Sequence, residues 1–138
     1  MSTTDTPTPA HLASTPQIDS DHPAVAAFAR QHGTAPGADP TQRAVALYYA
    51  VRDGFRYDPY RVDFTADGMR ASTVIALGYG WCVPKAALLA AACRAVGIPA
   101  RVVLGVILGQ RGDRLQSPGA HQRGHHHEHE GDGPWSGV

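Results

Sequence analysis

Cys82 is the side chain with the most chemistry open to it. It stands in the run Trp81, Cys82, Val83, Pro84, Lys85, followed by a stretch of alanine and leucine that continues to Val96 and Gly97. Alanine and leucine are strong helix formers, and nothing breaks the pattern between Lys85 and Val96. Pro84 suits a first turn, where a missing N–H costs nothing. Gly97 and Pro99 supply a left-handed cap and a stop. The spacing therefore predicts a helix that begins at a thiol. The positive end of the helix dipole favours a thiolate there, the nucleophilic form of cysteine.

The second cysteine, Cys93, falls inside the same predicted helix. At 1.5 Å of rise per residue the two lie roughly 16 Å apart, beyond the ~7 Å Cα separation that a disulfide tolerates. Both thiols are expected to be free, as in a reducing compartment. Cys93, deep in an apolar helix, is expected to be core. Lys85, one turn from Cys82, is either a neighbour of the thiol or a solvated edge residue. Trp81 is expected to be a core aromatic, with the wall of a substrate tunnel as the other reading.

Other elements must hold that helix. His22 and Pro23 open a helical stretch over Ala24 to Gln31, behind an Asp21 cap. Gly33 to Pro40 reads as a loop. Thr41 caps a helix over Gln42 to Asp53, whose Ala44, Val45, Leu47, Tyr48 and Val51 form one apolar face. Phe55 to Phe64 alternates aromatic and charged residues around Asp58 and Pro59, as in a short extended segment or ordered loop. Ala71 to Leu77 is a short helix capped near Ser72. Gly78, Tyr79 and Gly80 make a turn into Cys82. Ala100 to Leu108 is apolar and β-branched, a buried strand that Arg101 anchors through Asp53 or Asp58.

The ends differ. Residues 1–22 are rich in Thr, Ser, Pro and Asp with little to bury, and are expected to be disordered or loosely attached. A core spans 23–108. Residues 109–138 are a Gly/His-rich tail, also expected to be disordered: no period of 2 or 3.6 is found, and too few apolar residues are present to offset chain entropy.

The chain has 138 residues, enough for one modest domain. Lys plus Arg equal Asp plus Glu at 12 each, so no field of one sign points to nucleic acid or an anionic membrane. No apolar run approaches the ~20 residues of a membrane helix. The start (Ser2, Thr3, Thr4, Asp5) is polar, with no basic or apolar leader. The expected location is cytoplasmic.

Gly78 through Arg101 combines a glycine turn, Trp-Cys, an Ala/Leu helix with an arginine near its end, and Gly97-Ile98-Pro99-Ala100-Arg101. This combination resembles bacterial proteins of the transglutaminase-like superfamily. Asp53 to Asp58 and Ala71 to Thr73 match the same pattern upstream, so the resemblance covers Thr41 to Leu108, about half the chain.

The resemblance implies an α+β, papain-like fold with the cysteine at the N-terminus of a buried helix and a strand after it. It implies Cys82 as nucleophile, a histidine as base and an acid to orient it. The activity implied is acyl transfer or amide hydrolysis on a peptide or protein substrate. No cofactor and no metal are implied; nucleic acid and membrane are not expected partners. Backbone N–H groups at the helix start would supply part of an oxyanion hole.

Beyond Leu108 the sequence departs from the family's pattern. His121, His125, His126, His127 and His129 fall where the base is expected, and Glu128 and Asp132-Gly133-Pro134-Trp135 echo the glutamate and tight turn of the family. Gly124 occupies the position of the family histidine itself, which makes His125 the candidate base. No acid comes after Trp135. The expectation is an incomplete C-terminal sheet and impaired activity. It fits a shortened paralogue or a reading frame that slips after about Leu108. The alternative function is a non-enzymatic module, either a pseudoenzyme or a His-rich metal-binding protein. Consecutive histidines without helical spacing hold metals only loosely.

Overall fold

The computed structural model describes residues 6–103. After a 3-10 turn at Pro9–His11 come α1 (Pro23–Gly33), α2 (Pro40–Gly54), β1 (Arg56–Tyr57), α3 (Ala71–Leu77), β2 (Tyr79–Gly80) and α4 (Cys82–Ala95). The strands pair in parallel, Arg56 opposite Tyr79 and Tyr57 opposite Gly80. Four α-helices and one small sheet make the described part an α+β structure.

Helix α4 is the hub because its sequence is apolar on every side. It packs against α1, α2 and α3. Val25, Val51, Ala71, Val74, Ala87, Leu88 and Ala91 form one buried cluster, and Ala29, Leu47, Ala92 and Cys93 form a second. Leu88, Leu47, Val25 and Val74 are the largest enclosed side chains of this core. The alanines of α4 let three helices approach it closely. Gly97, at φ +80°, ends it as expected: Ile98 N–H donates to the Cys93 carbonyl at 2.9 Å and Gly97 N–H to that of Arg94 at 3.1 Å.

The helix starts correct the sequence reading. Asp39, not Thr41, caps α2: its carboxylate accepts from Gln42 N–H at 2.7 Å while Gln42 Oε1 accepts from Asp39 N–H at 3.0 Å. This reciprocal box moves the start forward to Pro40. His22, not Asp21, caps α1, its Nδ1 accepting from Ala24 N–H. Neither Ser72 nor its neighbours cap α3 locally.

The cap of α3 comes from the segment expected to be loose. Asp19 is buried, and its two carboxylate oxygens accept from Ser72 N–H at 3.1 Å and Ser72 Oγ at 2.5 Å. Ala71 N–H donates to the Gln17 carbonyl at 2.9 Å. Arg94, also buried, donates from Nη1 to the Ala13 carbonyl, and Ala100 N–H donates to that of His11. The expectation of a disordered segment is thus corrected for residues 11–20. Composition shows few apolar side chains there, but Ile18 packs against the core and the segment is otherwise held through its backbone carbonyls and one carboxylate. Asp19→Ala removes two bonds at a helix start and is expected to lower stability by about 1–2 kcal/mol. Urea denaturation checks this; an unchanged midpoint would mean that the helix start is satisfied without Asp19.

Of the strand expected over Ala100 to Leu108, only residues 100–103 are described. Residues 101–103 carry no strand pairing among the described residues, with Arg101 and Val103 exposed; the rest of it, and the tail at 109–138, lie outside them.

Candidate active site

Cys82 is the first residue of α4 and is exposed; Cys93, on the same helix, is buried. The site begins with the contacts that hold that helix start in place. β2 delivers the chain to it. Gly80 lies against both adjoining helices: a Cβ there would meet Val74 Cγ2 at 3.2 Å and Lys85 Cγ at 3.3 Å. A side chain at 80 would require Val74 or Lys85 to give by a few tenths of an ångström, two residues ahead of Cys82.

Trp81 is the N-cap, extended at φ −91°, ψ −175°, and no side chain caps the turn. Pro84 has no N–H, and Lys85 N–H reaches back to the Trp81 carbonyl at 3.2 Å. The N–H groups of Cys82 and Val83 therefore have no carbonyl of α4 to pair with. They belong to the residue that carries the thiol and to the one after it.

Lys85 is half-buried at the start of α4. Its ammonium donates to the Phe55 carbonyl at 2.6 Å and to that of Arg52 at 3.2 Å. It thereby satisfies carbonyls at the C-terminal end of α2 and ties α2 to the start of α4. Burial pushes this ammonium down from its ordinary value, and Asp53 partly opposes the shift. Burial pushes the Cys93 thiol up, as suits a core residue.

The carboxylates expected to anchor Arg101 have other partners. Asp53 pairs with Arg52 at 2.8 Å. Asp58 is buried, accepts from Tyr60 N–H at 3.0 Å, and meets Arg56 at 3.2 Å and Arg61 at 3.6 Å. Both arginines lie over the Tyr79 ring. This cluster joins the loop after β1 to β2, just ahead of Cys82.

Trp81 is half-buried and meets Phe64 edge-on at 5.3 Å. With Gly80 and Pro84 it lines a cleft of about 280 Å³. Its walls come from two neighbouring stretches, residues 61–68 and 73–84.

The described histidines are engaged locally. His11 Nδ1 accepts from Thr8 N–H, His22 caps α1, and the His32 ring lies 4.7 Å from that of Phe28. His125 and the rest of the cluster lie outside the described residues. Among the described residues no group of three or more His, Cys, Asp or Glu could hold a metal ion. No helix there is long and apolar enough to cross a membrane.

An exposed thiol that opens a buried helix, fed by a glycine turn and followed by Gly97-Ile98-Pro99, defines a class of thiol-bearing α+β proteins. The family model of the transglutaminase-like superfamily matches residues 26–130, and the chain belongs to that superfamily. No curated protein and no solved structure matches it. The matched range is wider than the stretch whose motifs carry the resemblance. It starts inside α1 and continues past Leu108 through His121, His125, His126, His127 and His129.

Proposed function

We propose that this chain is a thiol-dependent acyl transferase or amide hydrolase of papain-like design, acting on peptide or protein substrates, with Cys82 as nucleophile and His125 as base. The observation that carries the reading is the contrast between two thiols on one helix. Cys82 is exposed where α4 begins, beside two N–H groups that the helix leaves without a carbonyl; Cys93 is enclosed.

In the proposed step His125 takes the thiol proton, becoming an imidazolium, and the Cys82 thiolate attacks the substrate carbonyl carbon. A C–S bond forms and the carbonyl π pair moves onto oxygen, which the N–H groups of Cys82 and Val83 receive. Collapse expels the leaving amine or alkoxide, which takes a proton from the imidazolium. Water or a second amine then attacks the thioester and gives its proton to the neutral imidazole; the C–S bond breaks and Cys82 leaves as the thiolate.

Turnover is expected to be weak. The described imidazoles serve elsewhere, so proton transfer falls to the histidine cluster. There Gly124 stands at the family histidine's position, and His125 lies one residue off.

The test is to trap the intermediate. After exposure to p-nitrophenyl acetate, peptide mapping is expected to find a hydroxylamine-labile acetyl thioester on Cys82 and none on Cys93. Acetyl groups on lysines only, with Cys82 unmodified, would sink the proposal.

A further inference from the structure

We propose that Lys85 is a positioning residue for Cys82: its ammonium closes a ring of bonds that keeps the first turn of α4 wound, and so fixes the residue that carries the thiol. The role rests on the acyl-transfer reading above; that a lysine one turn further on sets the aim of the sulfur is new.

The first turn of α4 has little else to hold it. Trp81, the N-cap, makes no side-chain capping bond, and Pro84 has no N–H to give. The opening backbone bond runs from Lys85 N–H to the Trp81 carbonyl at 3.2 Å. A helix end held so thinly frays unless tertiary contacts secure it.

Those contacts form a closed circuit that begins and ends at residue 85. From the side chain, Nζ donates to the Phe55 carbonyl at 2.6 Å. Phe55 leads into β1, where Arg56 N–H donates to the Gly78 carbonyl and Asp58 N–H to that of Gly80, both at 3.1 Å. The chain then runs from β2 to Trp81, whose carbonyl receives the Lys85 N–H. Cys82 follows Trp81 within this circuit. A second bond from Nζ, to the Arg52 carbonyl at 3.2 Å, fastens the circuit to the last turn of α2. The stem is confined too, since Lys85 Cγ lies 3.3 Å from where a Cβ on Gly80 would stand.

The acceptors call for a long stem and a cationic donor. The last carbonyls of a helix carry partial negative charge, which an ammonium complements. Asp53 acts on this ammonium electrostatically, but it is paired with Arg52 at 2.8 Å. Two carbonyls therefore hold a cation that burial disfavours, which a solvated edge lysine has no reason to be.

Lys85→Met keeps most of the stem and removes the donor. In the full chain, the amides of residues 56, 58 and 85 are expected to exchange with deuterium about tenfold faster in this variant, with those of residues 90–94 unchanged. Two reagents then separate aim from access at the sulfur. Acylation by p-nitrophenyl acetate passes through an oxyanion; alkylation by iodoacetamide, at a saturated carbon, does not. Per folded molecule, acylation of Cys82 is expected to fall about tenfold or more and alkylation by no more than about twofold. Lys85→Arg, which keeps a cation for the two carbonyls, is expected to recover most of the acylation.

A Lys85→Met protein that acylates Cys82 as fast as the parent overturns the positioning role, as does an equal fall in acylation and alkylation or a loss that Lys85→Arg does not recover. Failure of the acyl-transfer reading looks different: the parent chain itself then takes no acetyl group on Cys82. The exchange rates decide the circuit in that case, faster exchange at the three amides keeping it and unchanged exchange removing it.

Discussion

Cys82→Ala is expected to bring hydrolysis of p-nitrophenyl acetate down to the rate of buffer, a fall of about three orders of magnitude in the thiol-dependent rate. The size follows from the proposed role. Without a sulfur no covalent acyl intermediate forms, and the N–H groups at the helix start have no oxyanion to receive. Cys93→Ala is the matched control. It removes a thiol from the same helix but from a buried site, and the rate per folded molecule should not change. His125→Ala then tests the base: if this imidazole carries the proton, the rate drops by about 10²-fold. Equal rates for Cys82→Ala and the parent chain would show that ester cleavage occurs elsewhere on the protein.

Arg94→Met is expected to give the largest loss of stability, about 3 kcal/mol, because hydrogen bonds from a charged donor contribute about 1.5–3 kcal/mol each. Arg94 is buried in the last turn of α4. Its Nε donates to the Ala100 carbonyl at 2.8 Å and its Nη1 to the Ala13 carbonyl at 2.7 Å. Methionine keeps much of the apolar stem, so the substitution isolates those two bonds. They join the segment ahead of α1 to the segment after α4. Urea unfolding should show a lower midpoint with an unchanged slope. A loss under about 1 kcal/mol would mean that water replaces the guanidinium at both carbonyls.

Helix α4 is legible in the sequence because its signals are local: an uninterrupted Ala/Leu run, Pro84 in the first turn, Gly97 at the end. Its exposed and buried cysteines are legible for the same reason. Helix α2 is legible with its start displaced, since Thr41 draws the cap away from the Asp39–Gln42 pair. The work of backbone atoms and of distant partners is not legible. Lys85 carries no hint that its acceptors are carbonyls at 52 and 55. Asp19 carries none that it caps a helix 53 residues later. The cleft is lined entirely from residues 61–84, but it exists only once the loop after β1 folds back on α3 and the start of α4. The short strands read as extended or turn segments, because a two-residue ladder leaves no alternation to detect.

The attachment of residues 11–20 bears on where this protein can be cut. The family's matched range opens at residue 26, inside α1. A fragment trimmed to that range would lose the carbonyl that receives Arg94 and the carboxylate that receives Ser72. Its thiol-bearing helix would keep its sequence but lose its anchor. A fragment that keeps these bonds must therefore begin ahead of Ala13, outside the range the family shares.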